Sequence, residues 1–323
     1  MNITTFAATM NRWGQEKVPF LFVVDFEMQQ PLLIRLQDVD ATTLLYRIQG
    51  ITNATPQSLP AGSVMLEKIP PTPQEYQRKF AAVYAHLAYG DSFLTNLTVK
   101  TEVKTDRSLR DLFYLSRARY KLLFDNRFLV FSPEIFVQIK DKKIYSFPMK
   151  GTMDAALPQA RERLLADPKE IAEHVTIVDL IRNDLSQVAS GVHVSRFRYI
   201  EEIQTASKTL LQVSSEVVGD LEEDYAARIG DILVRLLPPG SVSGAPKPKT
   251  LEIIRDVEQE QRGYYTGVFG VFDGERLDSG VMIRFIEKQG DRYFYRSGGG
   301  ITTQSTAASE YQEVIDKVYV PLT

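Results

Sequence analysis

The chain has 323 residues, 44% hydrophobic and 24% charged, the make-up of an ordinary globular protein with one large domain or two modest ones. Its net charge of −3 offers no global basic field, so nucleic acid is not an expected partner. It contains no cysteine, which excludes disulfides, thiolate metal sites and cysteine nucleophiles and fits a reducing cytoplasm. Three histidines, none paired at helical metal-ligand spacing, argue against a zinc site. The segment 1–15 lacks a basic stretch followed by an apolar core, so no secretory signal is expected. The run Phe20-Leu21-Phe22-Val23-Val24 is too short to span a bilayer and reads as a buried strand.

Residues 18–70 alternate strand-like runs (20–26, 32–36, 64–69) with turn signals. Pro70-Pro71-Thr72-Pro73 breaks that pattern. A helix follows over 74–89, with Tyr76, Phe80, Val83 and Leu87 recurring at three and four residues. Strands are expected near 92–99, 120–131, 134–139 and 143–147. In Phe147-Pro148-Met149-Lys150-Gly151-Thr152 a lysine stands between a proline turn and a glycine, and on position alone it is a solvated turn residue. Helical blocks are expected at 158–189 and 224–236, and a loop at 236–250 leads into a helix over 250–261. Strands then dominate (266–272, 280–287, 292–297) before a last helix over 307–318. Runs of strands and helices, without strict βαβ alternation, argue for an α+β fold with mixed or antiparallel sheets. Short linkers argue for a single domain over 1–323, with a β-rich portion at 1–73.

Two helical segments repeat one pattern. Glu170 and Glu173 stand three apart beside the stripe Ile171, Val175 and Val178. Glu310 and Glu313 stand three apart beside Tyr311, Ile315 and Val318. Residues three apart share a helix face, so each pair borders the buried stripe and points into a crevice. If the pairs converge, four carboxylates repel one another unless a cation sits between them, and hard oxygens favour Mg²⁺. Two unrelated solvated faces have the same spacing. Asp167-Pro168 resembles a helix start, with Asp167 as N-cap.

The loop 239–247 is glycine-rich but lacks Walker A spacing; it reads either as a lid or as a loop closing on a polar ligand. Gly298-Gly299-Gly300 permits close backbone approach and offers N–H donors to an anion. Arg284 lies within an otherwise apolar strand and needs a carboxylate, from the protein or from a ligand. Tyr265 opens the preceding strand and by itself reads as a core tyrosine.

In order along the chain, LLADPKEIAEHVTIVDLIRNDLSQVA, PPGSVSGAPKPKTLEIIRDVE, RGYYTGVFG, SGGGIT and SEYQEVIDK resemble the chorismate-utilising enzymes. These include anthranilate synthase component I, aminodeoxychorismate synthase component I, and the isochorismate and salicylate synthases. The resemblance covers roughly 74–323. It implies a large α+β domain of two mainly antiparallel sheets flanked by helices, with the site between them. It further implies Mg²⁺ held directly by Glu173 and Glu313, with Glu170 and Glu310 acting through water or behind them. By the same resemblance, Arg284 and Tyr265 grip the pyruvyl carboxylate, and the backbone of Gly298, Gly299 and Gly300 donates to a carboxylate. Lys317 reaches the same anion, and Thr152 lines the site.

The resemblance also separates the reactions. The isochorismate and salicylate synthases carry a lysine base where this chain has Leu94, or Thr95 in a shifted register, which disfavours water addition. Anthranilate synthases typically have alanine at the position of Lys150, whereas aminodeoxychorismate synthases read P-I-K-G-T, which PMKGT resembles. The implied role of Lys150 is to attack ring C2 as the C4 hydroxyl leaves, Glu134 donating the proton. Ammonia then enters at C4 and expels the lysine, so one hard step becomes two easier ones. Such a lysine is expected to have its pKa lowered by burial or a nearby cation. A departure stands at Leu211, where the family usually has histidine; Gln212 or Lys208 are the available substitutes. The expected function is aminodeoxychorismate synthase component I, acting on chorismate with ammonia from a separate glutamine amidotransferase. The alternatives are anthranilate synthase component I, isochorismate synthase and a non-catalytic chorismate-fold binding protein.

Overall fold

A computed structural model describes residues 1–57, 64–204 and 209–322. Two nine-stranded sheets carry the fold, and every named strand pair in them is antiparallel. The first runs from the edge strand Met149–Asp154 through Thr209–Asp220, Lys143–Ser146, Ile135–Lys140, Leu277–Val281, Val268–Phe272 and Phe20–Val24 to Leu32–Arg35, with Ser190–Gln204 also paired to Thr209–Asp220. The second runs from Gly244–Ala245 through Leu94–Thr105, Arg292–Ile301, Phe285–Gln289, Phe128–Ser132, Tyr120–Phe124 and Leu44–Ile48 to Ile51–Thr52, with Leu66–Ile69 on Leu94–Thr105. This is the expected α+β architecture. No described helix is long and apolar enough to cross a membrane.

The strand Phe20–Val24 shows why its sequence is apolar throughout. Phe20, Phe22 and Val24 face the helices on the outer side of the first sheet. Leu21 and Val23 face the second sheet, against Tyr46, Tyr120 and Phe128. A strand buried on both faces has no polar position to alternate with. The strands before residue 74 thus complete one end of the first sheet and contribute Leu44–Ile48, Ile51–Thr52 and Leu66–Ile69 to the second.

The differences from the sequence reading have local causes. The helix Ile3–Gln15 was not anticipated; Asn2 caps it by accepting the Thr5 N–H at 2.8 Å, and Phe6 and Met10 are fully buried. The run 120–131 is a hairpin, because Asp125 and Asn126 at φ +46° and +49° make a tight turn that suits the twist of the flanking strands. The expected loop at 236–250 contains a short helix, Gly240–Ser243, and the next helix starts at Lys247. Arg284 does not lie inside one long strand. It sits at the break between Leu277–Val281 and Phe285–Gln289, at φ +52°.

Arg262 and Glu258 form a buried ion pair, each side chain 1% exposed. Arg262 donates to both Glu258 oxygens (2.9 and 2.7 Å) and to the carbonyls of Val242 (2.7 Å) and Asn96 (2.8 Å), and it lies 4.6 Å from the Phe26 ring centroid. Glu258 in turn accepts the Thr98 N–H and hydroxyl. Arg262→Met strands a buried carboxylate, so a loss of about 3–5 kcal/mol in urea unfolding is expected; a loss below ~1 kcal/mol would contradict the role given to the pair.

In the first sheet, Asp278 accepts the Tyr120 hydroxyl (2.6 Å) and the Gln138 amide (2.9 Å). Burial pushes its pKa up to about 6, with the two hydrogen bonds opposing. The folded state therefore holds this proton more tightly than the unfolded chain. The resulting stability is present below the unfolded value and is lost as pH rises through about 6. Asp278→Asn keeps a neutral group there and is expected to raise stability by up to ~3 kcal/mol at pH 7.5 and little at pH 4. Equal effects in unfolding titrations at the two pH values would argue against this assignment.

Candidate active site

The chain crosses between the sheets at Pro133-Glu134, from Phe128–Ser132 to Ile135–Lys140, and again at Met282-Ile283-Arg284. The two crossings are bonded to each other: Val281 N–H donates to the Glu134 carbonyl, and Phe131 N–H to the Arg284 carbonyl, both at 3.1 Å. Glu134 and Arg284 thus meet at the seam, where a cavity of about 500 Å³ opens. Its wall includes Lys150, Thr152, Glu170, Glu173, Tyr265, Gly298, Gly299, Gly300, Glu313 and Lys317.

Lys150 is not a turn residue. It lies in the strand Met149–Asp154, where Met149 pairs with Ser214 and Thr152 with Gln212, so three steps on one strand match two on the other. The extra residue makes a β-bulge, which re-aims side chains at a sheet edge. Gly151 in the bulge has φ +87°, and a Cβ there would lie 2.9 Å from Glu170 Oε2. Only glycine serves at this point. The Lys150 ammonium meets Glu173 Oε2 at 2.6 Å. Burial opposes its charge, but the ion pair and hydrogen bond with Glu173, aided by Glu313 and Glu170, hold its pKa above the usual lysine value. This corrects the expectation of a lowered pKa, because the carboxylates outweigh desolvation.

Across the cavity, Lys317 bonds Glu313 Oε1 (2.6 Å) and donates to the Gly298 carbonyl (2.8 Å). Its pKa is lowered, first by burial and then by Arg284 and Lys150, against the pull of Glu313. The three glycines lie inside the strand Arg292–Ile301, not beyond its end. N–H and C=O of one strand residue point the same way, so the N–H groups of Gly298 and Gly300 share the open edge with the carbonyl that binds Lys317.

Asp167 accepts the Glu170 N–H at 3.2 Å, as the expected N-cap. Glu170, Glu173 and Glu313 reach the cavity, while Glu310 does not. It is 3% exposed, accepts the Ser305 hydroxyl, and lies behind Gly299, whose Cβ would come 3.1 Å from Glu310 Oε2. Among the described residues no three acidic or histidine side chains close into a ready metal site. The donor set is all hard oxygen and suits Mg²⁺ in kind, but Glu173 and Glu313 are each turned toward a lysine.

Arg284 has a buried Nε with no hydrogen-bond partner, its guanidinium lies 5.3 Å from the Tyr319 ring centroid, and it makes no ion pair among the described residues. Of the two partners the sequence left open, a protein carboxylate or a ligand, no protein carboxylate pairs with it among the described residues, although it lines the cavity with Glu134. Tyr265 lies beside it; burial pushes that phenol up to about 12, so it stays a donor. Glu134 has its pKa raised by burial, opposed by a hydrogen bond from Ser241 (2.5 Å) and by Arg284 and Lys317.

Several contributors were not read from the sequence. Ser241 sits on the short helix Gly240–Ser243. Lys247 pins this segment to Asp184, both carboxylate oxygens lying at 3.0 Å. That pin joins the APK and RND parts of the two longest motifs. His174, 1% exposed, bonds Ser215 Oγ at 2.7 Å. Burial and then Arg198 push its pKa down to about 4, so the ring is neutral. Leu211 packs with Ala160, Leu164 and Val213, away from the cavity. Gln212 lines the cavity, and Lys208 lies outside the described residues.

The chain matches a family model for chorismate binding enzymes over residues 21–323, beginning well before the motif-bearing stretch. An uncharacterized PabA-like protein of Pasteurella multocida is 50% identical over the whole of both chains. Aminodeoxychorismate synthase component 1 of Bacillus subtilis is 31% identical over 77% of this chain and 55% of that protein, so the match spans about half its length. The menaquinone-specific isochorismate synthase MenF of Escherichia coli shares the fold, with a TM-score of 0.73 over 97% of this chain and 80% of that one at 17% identity.

The Ser241 hydroxyl bonds the charged form of Glu134, so its removal favours the protonated form. Ser241→Ala is expected to raise the Glu134 pKa, read from ¹³C NMR titration of the labelled carboxyl. A fall would mean that Ser241 does not stabilise the carboxylate.

Proposed function

The chain belongs to the chorismate-binding enzymes, and we propose that within them it is an aminodeoxychorismate synthase component 1, converting chorismate and ammonia to 4-amino-4-deoxychorismate. The observation that carries this reading is Lys150 on a bulge, its amine directed into a cavity that also holds Glu134 and Arg284. The resemblance to the Bacillus subtilis enzyme supports it.

Arg284, Tyr265 and the open Gly298–Gly300 edge would bind the pyruvyl carboxylate. Glu173 and Glu313 would hold Mg²⁺, with Glu170 and Glu310 behind them, and Thr152 at the rim. Mg²⁺ held there would supply positive charge for the ring carboxylate. The Lys150 amine reacts in its neutral form, its proton having gone to solvent; burial favours that form, and the carboxylates of Glu173, Glu313 and Glu170 oppose it.

That amine bonds to C2, both ring double bonds shift (C1=C2 to C1=C6, C5=C6 to C4=C5), and the C4–O bond breaks as Glu134 gives its proton to the departing hydroxyl. Ammonia bonds to C4, both double bonds shift back, and the C2–N bond breaks, restoring the lysine. One proton of the ammonia returns to Glu134, so chorismate and ammonia become aminodeoxychorismate and water. Ammonia would come from a separate glutamine amidotransferase, since no cysteine is present for that chemistry.

With chorismate, Mg²⁺ and ammonium the protein is expected to form aminodeoxychorismate, identified by mass. Lys150→Ala is expected to stop it, and Glu134→Gln to slow it by about 10²- to 10⁴-fold. Anthranilate or isochorismate as the sole wild-type product, or full activity in Lys150→Ala, overturns the reading.

A further inference from the structure

A bulge leaves its extra residue outside the strand ladder, so something else must hold it. Under Lys150 that role falls to groups the reaction itself does not use. His174 follows Glu173 on the helix Pro168–Leu185, so adjacent helix residues address the two ends of Lys150. Glu173 meets the ammonium at 2.6 Å, and His174 lies against the Lys150 backbone.

The hydrogen-bond directions are consistent. Arg198 N–H donates to Ser215 Oγ at 2.9 Å, and Ser215 Oγ lies 2.7 Å from His174 Nε2. With the ring proton on Nδ1, the tautomer assigned because Nδ1 faces the Lys150 peptide, the Ser215 hydroxyl donates to Nε2; Nδ1 does not close to a well-formed hydrogen bond. Ser215 also grips the chain just before the bulge, its N–H donating to the Pro148 carbonyl at 3.0 Å. Phe197 covers the ring edge-on at 6.0 Å.

We infer that His174 and Ser215 form a strut beneath the bulge that aims the Lys150 amine into the cavity, His174 being a positioning residue for the reaction. The inference rests on Lys150 as the reacting amine. A side chain moved by about 1 Å can cost as much as 10²-fold in rate, so the strut acts on turnover more than on substrate binding.

The test uses the full chain and the variants His174→Leu, His174→Asn and Ser215→Ala, with two readouts. One is the rate of Lys150 modification by pyridoxal phosphate and borohydride, relative to Lys317, followed by peptide mass. The other is kcat and KM with chorismate, Mg²⁺ and ammonium. His174→Leu and Ser215→Ala are expected to lower kcat by ~10- to 100-fold, to leave chorismate KM within about threefold, and to change the relative labelling of Lys150. His174→Asn, which keeps an N–H donor, is expected to recover much of kcat. If His174→Leu does not fold, Ser215→Ala carries the test. Labelling and kcat at the wild-type level in a folded variant, or no rescue by asparagine, overturn the inference. If labelling changes but the wild type makes no aminodeoxychorismate, the strut stands and the reading of the reaction fails.

Discussion

The buried pair of Arg262 and Glu258 is the constraint on which the site depends. A fully buried charge must be matched, and these two are matched by each other and by backbone from several separate segments. Arg262 holds the carbonyl of Val242 in the segment that carries Ser241. It also holds the carbonyl of Asn96, whose strand aligns Gly298–Gly300. Glu258 fixes Thr98 on that same strand. The ion pair thus sets the distance between Glu134's hydrogen-bond donor and the glycine edge that faces it.

The cavity balances its own charge. Lys150 is matched by Glu173 and Lys317 by Glu313, while Arg284 is in no ion pair among the described residues and feels the Glu134 carboxylate only at longer range. Such a site is poised for an anion at one end. At the other end, a divalent cation would displace lysines from carboxylates. The carboxylates that raise the pKa of Lys150 are the ones proposed above to hold a metal, so on that proposal metal binding and the charge of the amine are coupled.

Much of this was legible in the chain. The helix over 74–89 and the last helix follow from apolar positions at three and four residues. The buried strand at 20–24 follows from an unbroken apolar run. The E-x-x-E pairs were visible because helical spacing is a local property. The helix Ile3–Gln15 was less legible because its buried face, Phe6, Ala7, Met10 and Gly14, includes only two large apolar side chains. The hairpin at 120–131 was missed because Asp125-Asn126 interrupts the apolar run only briefly.

By itself the sequence determined the kinds of groups available. Four glutamates at helical spacing, a lysine next to a glycine, three adjacent glycines and no cysteine restrict the chemistry before any fold is known. Tertiary structure decided which of them meet, and in what charge state. Lys150 left its apparent turn because pairing with Thr209–Asp220, more than 50 residues on, placed it in a bulge. Glu310 left the cavity because Gly299 stands in front of it. The pKa of Lys150 rose because Glu173 came within 2.6 Å. Spacing along a chain specifies a face, whereas electrostatic energy depends on distance through space, and only the packed sheets and helices set that distance.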